Sequence, residues 1–284
     1  MRRLILCGVC LAAALGLVWG CASVDYTSVA SIALKAAPKV AAASREINDS
    51  EEYYVGRAVA ARILGTNKLV TDQQLTLYVN EVGQTVARKS TRPNTFKGYH
   101  FAVLDTSEVN AFACPGGIIF VTKGLVQTCA TEDELAAVLA HEVAHVANKD
   151  GINSISKARW TEVVTTIGTE TAKQYAGPGG QLVTLFEGSI DDVFKTIVVN
   201  GYSRGAEEAA DAQAVTTLRN AGYDPGALAS LLNKMMAKGE GGTGIYKTHP
   251  PTADRLAKVK AAATAGTPDK MEEVRTKRFK SVKL

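Results

Sequence analysis

The sequence is poor in the features that mark specialised classes of chain. With 25 glycines and 8 prolines in 284 residues, it is neither collagen-like nor proline-rich. No repeat of fixed period is present, which argues against a solenoid or a propeller. Beyond residue 20 there is no run of 18 uncharged apolar residues and no CxxC pair. We therefore expect a soluble body without a cysteine-pair metal or redox site. Hydrophobic residues at 46% and charged residues at 21% are ordinary for a globular protein and exclude wholesale disorder.

The chain also has little excess charge of either sign. Of the formal net charge of +4, Arg2 and Arg3 contribute +2, and residues 268–284 contribute +3 from six basic and three acidic side chains. The body between them, residues 21–267, is left with a net charge of −1. Such a body lacks the basic surface of a nucleic-acid binder, so we expect no nucleic-acid partner. Residues 268–284 are interpreted as a basic, solvated C-terminal tail.

The N-terminus has the pattern of a bacterial lipoprotein signal. Two arginines precede an uncharged apolar run over residues 4–20, as in the charged and apolar regions of a secretory signal. Residues 18–21, Val-Trp-Gly-Cys, resemble a lipobox, in which the cysteine is lipidated and becomes the new N-terminus, although Trp19 stands where a small residue is usual. We predict a lipid anchor on Cys21. The alternative is an uncleaved signal anchor with an incidental cysteine.

The residue after Cys21 bears on location. It is Ala22 rather than aspartate, which by resemblance to bacterial sorting rules favours the outer membrane over the inner one. We expect a cell-envelope protein on the periplasmic side, held to the membrane through its lipid. The predicted divisions are a signal peptide (1–20), a tether or N-terminal helix (21–50), one folded domain (51–267) and the basic tail (268–284).

The domain is predicted to be α+β and mostly helical, with a small antiparallel sheet. Helical spacing of apolar residues predicts helices over residues 51–64, from Asp72, and over 131–148, 203–220, 225–238 and 252–263. In the first, Tyr54, Ala58 and Ala61 share a face; in the third, Thr131 and Glu134 predict a capping box. Residues 110–122 differ, because two short apolar runs flank Pro-Gly-Gly and predict a β-hairpin. A further strand is predicted near residues 101–104.

The strongest chemical signal is HEVAH at residues 141–145, inside the predicted helix 131–148. Residues i and i+4 of a helix lie on one face, so the imidazoles of His141 and His145 converge on one point. They can fill two positions of a tetrahedral Zn²⁺ site, and Glu142 is placed to take a proton from water. The alternative is an ordinary helix with two surface histidines. The apolar surroundings oppose it, because these side chains would be buried.

A catalytic zinc site needs a third protein ligand from another segment. The other two histidines, His100 and His249, do not extend the motif to HExxHxxGxxH. In SRGAEEAAD at residues 203–211, Glu207 and Asp211 lie four residues apart and share a helix face. One carboxylate can bind the metal while the other accepts a hydrogen bond from a ligand imidazole. A solvated acidic helix start is the alternative, since carboxylates there also favour the helix dipole.

Four blocks in order resemble the gluzincin metallopeptidases related to HtpX and the CAAX prenyl proteases. They are NAFACPGG at residues 110–117, HEVAH at 141–145, SRGAEEAAD at 203–211, and THPP at 248–251 followed by Arg255. The resemblance runs from about residue 50 to residue 258. It departs from the family at Cys114, where a bulkier apolar residue is usual. Because the transmembrane helices of the family are missing, the chain is similar to its secreted, lipoprotein-type members.

This resemblance implies a zincin-like metalloprotease domain and a role for each matching residue. One Zn²⁺ per chain would be bound by His141, His145 and Glu207, with Glu142 as general base and Asp211 orienting a ligand histidine. The edge strand on which a substrate peptide pairs through its main chain would consist of Asn110, Ala111, Phe112 and Ala113.

His249 has two implied roles that predict opposite effects of mutation. It would either steady the oxyanion or occupy the open metal position in a resting state. A histidine that only caps the chain before Pro250 is a further alternative.

Two cysteines, Cys114 and Cys129, remain after Cys21. An even pair in an oxidising compartment can form a disulfide. Cys114 ends the predicted substrate strand and Cys129 lies just before the HExxH helix, so a bridge would tie the two together. Two buried thiols are the alternative.

These patterns predict a zinc-dependent endopeptidase of the bacterial cell envelope that cleaves internal peptide bonds, with misfolded envelope proteins as candidate substrates in quality control. The alternative is a chaperone-like or scaffold lipoprotein that binds outer-membrane proteins with little proteolysis. An intact Glu142 favours catalysis, since a pure binder could lose it. A purely structural zinc is the weakest hypothesis, because such a site is closed by four protein ligands.

Overall fold

The computed structural model describes residues 46–155, 187–237, 244–263 and 271–282. The predicted signal peptide, Cys21 and nearly all of the predicted tether lie outside these ranges.

The helices are α1 (Asp49–Leu64), α2 (Gln73–Ala87), α3 (Lys123–Thr128), α4 (Glu132–Ala147), α5 (Asp150–Asn153), α6 (Glu187–Phe194), α7 (Arg204–Ala221), α8 (Ala227–Ala237), α9 (Ile245–Thr248), α10 (Ala253–Ala263) and α11 (Glu272–Val282). The strands are β1 (His100–Leu104), β2 (Ala111–Cys114) and β3 (Ile118–Thr122). Pro115–Gly117 forms a 3-10 turn, and Lys195–Asn200 is a π-helical segment. The prediction of a mostly helical α+β fold with a small sheet is confirmed.

The three strands form a mixed sheet in the order β1-β3-β2. The predicted hairpin is present: β2 and β3 pair antiparallel, and Gly116 in the turn has φ 76° and ψ 1°, the conformation that glycine adopts readily. The prediction of an antiparallel sheet fails for the remaining pair, because β1 lies parallel to β3. The chain reverses once between β1 and β2 and again in the hairpin, so β3 returns in the direction of β1.

Helices α4 and α7 begin at the residues that the sequence predicts. Thr131 Oγ1 accepts a hydrogen bond from Glu134 N at 3.2 Å, and Ser203 Oγ accepts one from a first-turn N–H at 3.3 Å. The predicted capping box at Thr131 is incomplete. The carboxylate of Glu134 instead accepts a bond from Ala130 N at 2.7 Å and pairs with Lys234 of α8.

Successive residues along each strand point to opposite faces of the sheet, and each face packs into its own hydrophobic cluster. The larger contains much of α2, α4, α7 and α8; the smaller contains α1, α6 and the other face of the sheet. In α1 the buried face is Val55, Val59 and Ile63. The face predicted for this helix is therefore wrong, since Tyr54 and Ala58 are only half-buried and Ala61 is exposed.

The two clusters also separate the two cysteines. Cys114 lies in the smaller cluster with α1, and Cys129 lies in the larger one. Both are buried free thiols, so of the two alternatives the disulfide is not formed and the pair of buried thiols is observed. The strand alternation that sends Cys114 to the α1 face of the sheet directs it away from the face on which Cys129 packs. Burial also raises the pKa of the Cys114 thiol, which keeps it protonated.

The basic C-terminal segment is helical rather than simply solvated. Phe279 of α11 is 1% exposed and lies 6.3 Å from the Tyr78 ring of α2, centroid to centroid. Arg275 Nε donates to Asp133 Oδ2 at 3.1 Å, and Arg278 Nε donates to Glu132 Oε2 at 2.7 Å. Both acids are buried in the first turn of α4, so α11 holds the N-terminal end of the HExxH helix. No helix within the described residues is long and apolar enough to span a bilayer.

Candidate metal centre

The HExxH residues lie in the last turns of α4, with their side chains directed into the protein. His141, Glu142 and His145 are all buried. As the i, i+4 spacing predicts, the two imidazoles meet: His141 Nε2 lies 3.1 Å from His145 Nε2.

Helix α7 brings a carboxylate to the same point. Glu207 is 1% exposed, with Oε2 3.5 Å from His141 Nε2 and Oε1 3.4 Å from His145 Nε2. Donor atoms around a tetrahedral ion with bonds of about 2.1 Å lie about 3.4 Å apart. The three observed separations match that spacing.

His249, just after α9, completes the cluster. Its Nδ1 lies 2.9 Å from Glu207 Oε1 and 3.3 Å from His141 Nε2. One donor atom from each of the four residues lies within 4.8 Å of all the others, a group that could hold a metal ion. The imidazole of His249 thus stands among the donors themselves.

Each HExxH imidazole contacts a second carboxylate through its outer nitrogen. His141 Nδ1 lies 3.0 Å from Asp211 Oδ1, and His145 Nδ1 lies 2.8 Å from Asp150 Oδ2. A carboxylate that accepts the Nδ1 hydrogen leaves Nε2 with a lone pair. At His145, where Nδ1 is hydrogen-bonded to Asp150, Nε2 keeps its lone pair and faces His141 Nε2 at 3.1 Å beside the Glu207 carboxylate, so a proton or a metal ion has to lie among these donors. The donor set therefore fits a metal ion.

The charges around the cluster shift its protonation in the absence of metal. Burial alone would lower the pKa of His141, but the carboxylates of Asp211 and Glu207 raise it to about 10. Burial would raise the pKa of Glu207, but the neighbouring histidines, His249 foremost, hold it well below its usual value. Without an ion the cluster therefore retains a proton, so metal binding has to displace it.

Arg255 of α10 supports both acids on α7. Its Nε and Nη2 donate to the two oxygens of Asp211 at 2.7 and 2.8 Å, and its Nη1 lies 2.9 Å from Glu207 Oε2. Such a bidentate pair fixes the carboxylate in position.

Glu142 is the exception among these acids. Neither of its buried carboxylate oxygens has a hydrogen-bond partner among the described residues, and Oε1 lies 3.6 Å from His249 Nε2. A buried acceptor without a partner is costly, so it points to a group that binds there. Beside it lies an apolar pocket, whose other walls include Val138, Leu228, Leu231, Leu232, Met235 and Ile245.

Comparison with known proteins agrees with this geometry. The sequence model of peptidase family M48 matches residues 73–263, more than half of the chain, and this range carries all four donor residues. The chain belongs to peptidase family M48. The resemblance predicted from the four sequence blocks is thereby confirmed.

Several M48 relatives are similar to this chain. The "Beta-barrel assembly-enhancing protease" of Escherichia coli (strain K12) is 24% identical over 231 residues, which cover 80% of this chain and 46% of that protein. "Metalloprotease LoiP" of the same organism is 27% identical over 195 residues, 68% of this chain and 71% of LoiP. "Protease HtpX homolog" of Salinibacter ruber is 28% identical over 190 residues, 57% of this chain and 67% of that protein. The chain spans less than half the length of the first of these.

The predicted substrate strand of this M48 chain is the outer strand of the sheet. β2 pairs with β3 on one side only, but Ala111, Phe112 and Ala113 are all buried. The π-helical segment Lys195–Asn200 packs beside β2. Asn110, one residue before the strand, is held by a bond from its N–H to Thr122 Oγ1 at 3.0 Å.

Three residues near the M48 site had no role assigned from the sequence. Arg255 was part of the THPP block, so its position was predictable but its contacts were not. Tyr202, beside the Ser203 cap, stacks on His145 with ring centroids 4.2 Å apart. The contact of Asp150 with His145 was not predictable from the sequence, because residues 145 and 150 of a continuous helix lie on different faces.

Proposed function

We propose that this chain is a zinc-dependent endopeptidase of the bacterial cell envelope, with residues 51–267 as the metallopeptidase domain and helix α11 packed on it. The observation that carries the proposal is the Glu142 carboxylate, which is buried without a hydrogen-bond partner among the described residues and lies beside the four-donor cluster. A metal site that served only to stabilise the fold would not need a buried carboxylate without partners. Catalysis by proton transfer does need such a group, as the proton acceptor. Family membership supports the same reaction class.

In this proposal His141, His145 and Glu207 hold one zinc ion per chain. Bound zinc supplies a Lewis acid that polarises the scissile carbonyl and acidifies a water molecule. With the metal bound, Glu142 would accept a proton from the water that attacks the carbonyl carbon, and would then donate it to the amine that leaves as the C–N bond breaks. Asp211, itself held by Arg255, lies 3.0 Å from His141 Nδ1 and so favours the ring orientation in which Nε2 faces the donor cluster.

The peptide substrate is proposed to lie along β2, pairing with the main chain near Asn110, Ala111, Phe112 and Ala113. The outer position of β2 in the sheet supports this binding mode. The π-helical segment Lys195–Asn200 lies next to this strand. His249 is proposed to act as the resting occupant of the open metal position, which the 2.9 Å contact from its Nδ1 to Glu207 supports.

Location and biological role rest on the sequence and on the names of relatives. The lipobox resemblance supports a lipid anchor on Cys21 after removal of residues 1–20, with the domain on the periplasmic side of the outer membrane. A relative named for enhancing β-barrel assembly supports protein quality control in the envelope, with misfolded envelope proteins as substrates.

The chaperone-like or scaffold alternative is favoured by one observation. Four protein donors surround the metal position, as in a closed site, which would keep proteolysis low. Hydrolysis of casein by the purified protein, with and without a metal chelator, separates the two functions. Chelator-sensitive cleavage supports the peptidase, and binding without cleavage supports the scaffold.

The decisive variants separate metal binding from proton transfer. Glu142→Gln keeps the shape of the side chain but cannot accept a proton, so we expect zinc to be retained and peptide cleavage to fall by about 10²-fold or more. His145→Ala removes a ligand, so both zinc and activity should be lost. Elemental analysis and a fluorogenic peptide assay measure the two effects. Wild-type cleavage by Glu142→Gln contradicts the mechanism.

A further inference from the structure

The chain makes an unusual turn directly after the HExxH helix. Lys149, two residues beyond the end of α4, has φ 57° and ψ 32°. It is the only non-glycine residue with positive φ in the described ranges. This left-handed conformation is disfavoured for side chains with a Cβ, so neighbouring contacts must hold Lys149 there.

Helix α1 supplies those contacts. Lys149 Nζ lies 3.1 Å from Asp49 Oδ1 and 3.6 Å from Glu52 Oε2. Glu52 is fully buried and firmly placed, because it pairs with Arg92 and accepts a hydrogen bond from Gly116 N at 2.9 Å. The Lys149 ammonium group is therefore close to a carboxylate that is itself held in place in the protein interior.

The turn changes what residue 150 can reach. If α4 continued, residue 150 would lie about 140° around the helix axis from His145, on another face. The reversal at Lys149 instead starts α5 at Asp150 and brings its Oδ2 to 2.8 Å from His145 Nδ1. Asp150 is partly buried, with 13% of its side chain exposed, so water screens this contact little.

We propose that Asp150 is the positioning residue of His145, and that the left-handed Lys149, anchored by α1, is the device that places it. Asp150 Oδ2 is hydrogen-bonded to the outer nitrogen of His145, and Asp211 Oδ1 lies 3.0 Å from that of His141 as an ion-pair contact, so each HExxH imidazole has its own carboxylate beside its outer nitrogen. No sequence block carries this second carboxylate. The inference rests on the metal-binding part of the proposed function and not on peptide cleavage.

Metal affinity of the purified protein tests the role of Asp150. Zinc dissociation constants, measured by competition with a chromophoric chelator, should rise about 10- to 100-fold in Asp150→Ala and less in Asp150→Asn, which keeps an acceptor oxygen. Glu208→Gln is the matched control: this acid lies on α7 but pairs with Lys258 at 2.7 Å, so zinc affinity should not change. Cobalt substitution adds a readout of ligand geometry, and the visible absorption of the Co²⁺ form should shift in Asp150→Ala.

Two variants of Lys149 test the turn separately. Lys149→Gly removes the side chain that pairs with α1, but glycine adopts positive φ without strain and needs no such anchor. This variant should therefore retain near wild-type zinc affinity. Lys149→Val, a β-branched residue, opposes that conformation and should lose affinity as Asp150→Ala does. Equal affinities in these two variants, with circular dichroism confirming their folds, would overturn the role of the turn.

The results also distinguish this inference from the wider proposal. Unchanged zinc affinity and an unchanged cobalt spectrum in Asp150→Ala overturn the role of Asp150 and leave the peptidase proposal standing. A wild type that binds zinc but cleaves no peptide overturns the peptidase proposal, and weaker zinc binding by Asp150→Ala then still supports the role of Asp150. A wild type that binds neither ion overturns both.

Discussion

Replacing His249 by alanine tests whether this histidine holds the metal position closed. His249 Nδ1 lies 2.9 Å from Glu207 Oε1 and 3.3 Å from His141 Nε2, so it takes the place of a fourth donor. A zinc site closed by four protein donors leaves no position for water or substrate. On this geometry His249 restrains the site rather than assists it, and its removal should raise peptide cleavage.

The size of the gain depends on how often His249 leaves the cluster. Apparent activity scales with the fraction of molecules in the competent arrangement. If about 0.1–10% of molecules have His249 displaced, a range typical of minor states, His249→Ala should raise kcat/KM by about 10- to 1,000-fold. Zinc affinity should fall in the same variant, because one donor is lost.

Fluorogenic peptide hydrolysis, with zinc content determined on the same samples, measures both changes. His100→Ala is the control, because His100 is exposed on β1. Within the described residues its ring makes one hydrogen bond, to Lys97 O at 3.0 Å. A fall in kcat of about 10²- to 10³-fold in fully zinc-loaded His249→Ala would refute the reasoning. Such a fall is the loss expected for an oxyanion-stabilising group.

Two further predictions concern the packing that holds the site. A Cβ at Gly56 would lie 1.8 Å from Pro115 O, so Gly56→Ala should destabilise the fold by about 1–3 kcal/mol or more. Gly205→Ala is the control, because a Cβ there has no atom within 4 Å. It should be neutral or stabilise the fold by up to about 1 kcal/mol. Phe279→Ala should cost about 3–5 kcal/mol, because this ring is buried in the main core. Urea unfolding of each variant checks these values. Wild-type stability of Gly56→Ala or Phe279→Ala would contradict the packing described here.

The parts of the site that the sequence predicts correctly are those set by local geometry. The i, i+4 spacing of His141 and His145 determines how their imidazoles meet, and the same spacing places Glu207 and Asp211 on one face of α7. The hairpin follows from Pro-Gly-Gly between two apolar runs. Each of these depends on residues close together in the chain, where helix and turn geometry leave few alternatives.

The parts that the sequence does not predict depend on contacts between distant segments. The buried face of α1 includes Glu52, an acid that a hydropathy pattern assigns to solvent; it is buried because Arg92 and Gly116 N satisfy it. The parallel pairing of β1 with β3 depends on strand order, which local patterns do not encode. The Asp150 contact follows a left-handed Lys149, whose side chain pairs with Asp49, a hundred residues earlier in the chain.

The HExxH helix is held at both ends by segments outside the matched family region. At its start, Asp133 and Glu132 pair with Arg275 and Arg278 of α11, and at its end α1 anchors Lys149. The matched region, residues 73–263, includes neither α1 nor α11. Removing α11 would leave buried acids at the start of α4 without their cations, which is strongly destabilising for a charge away from water. The metal ligands are therefore positioned by the whole of the described domain, and the minimal folded unit extends beyond the residues that carry the motif.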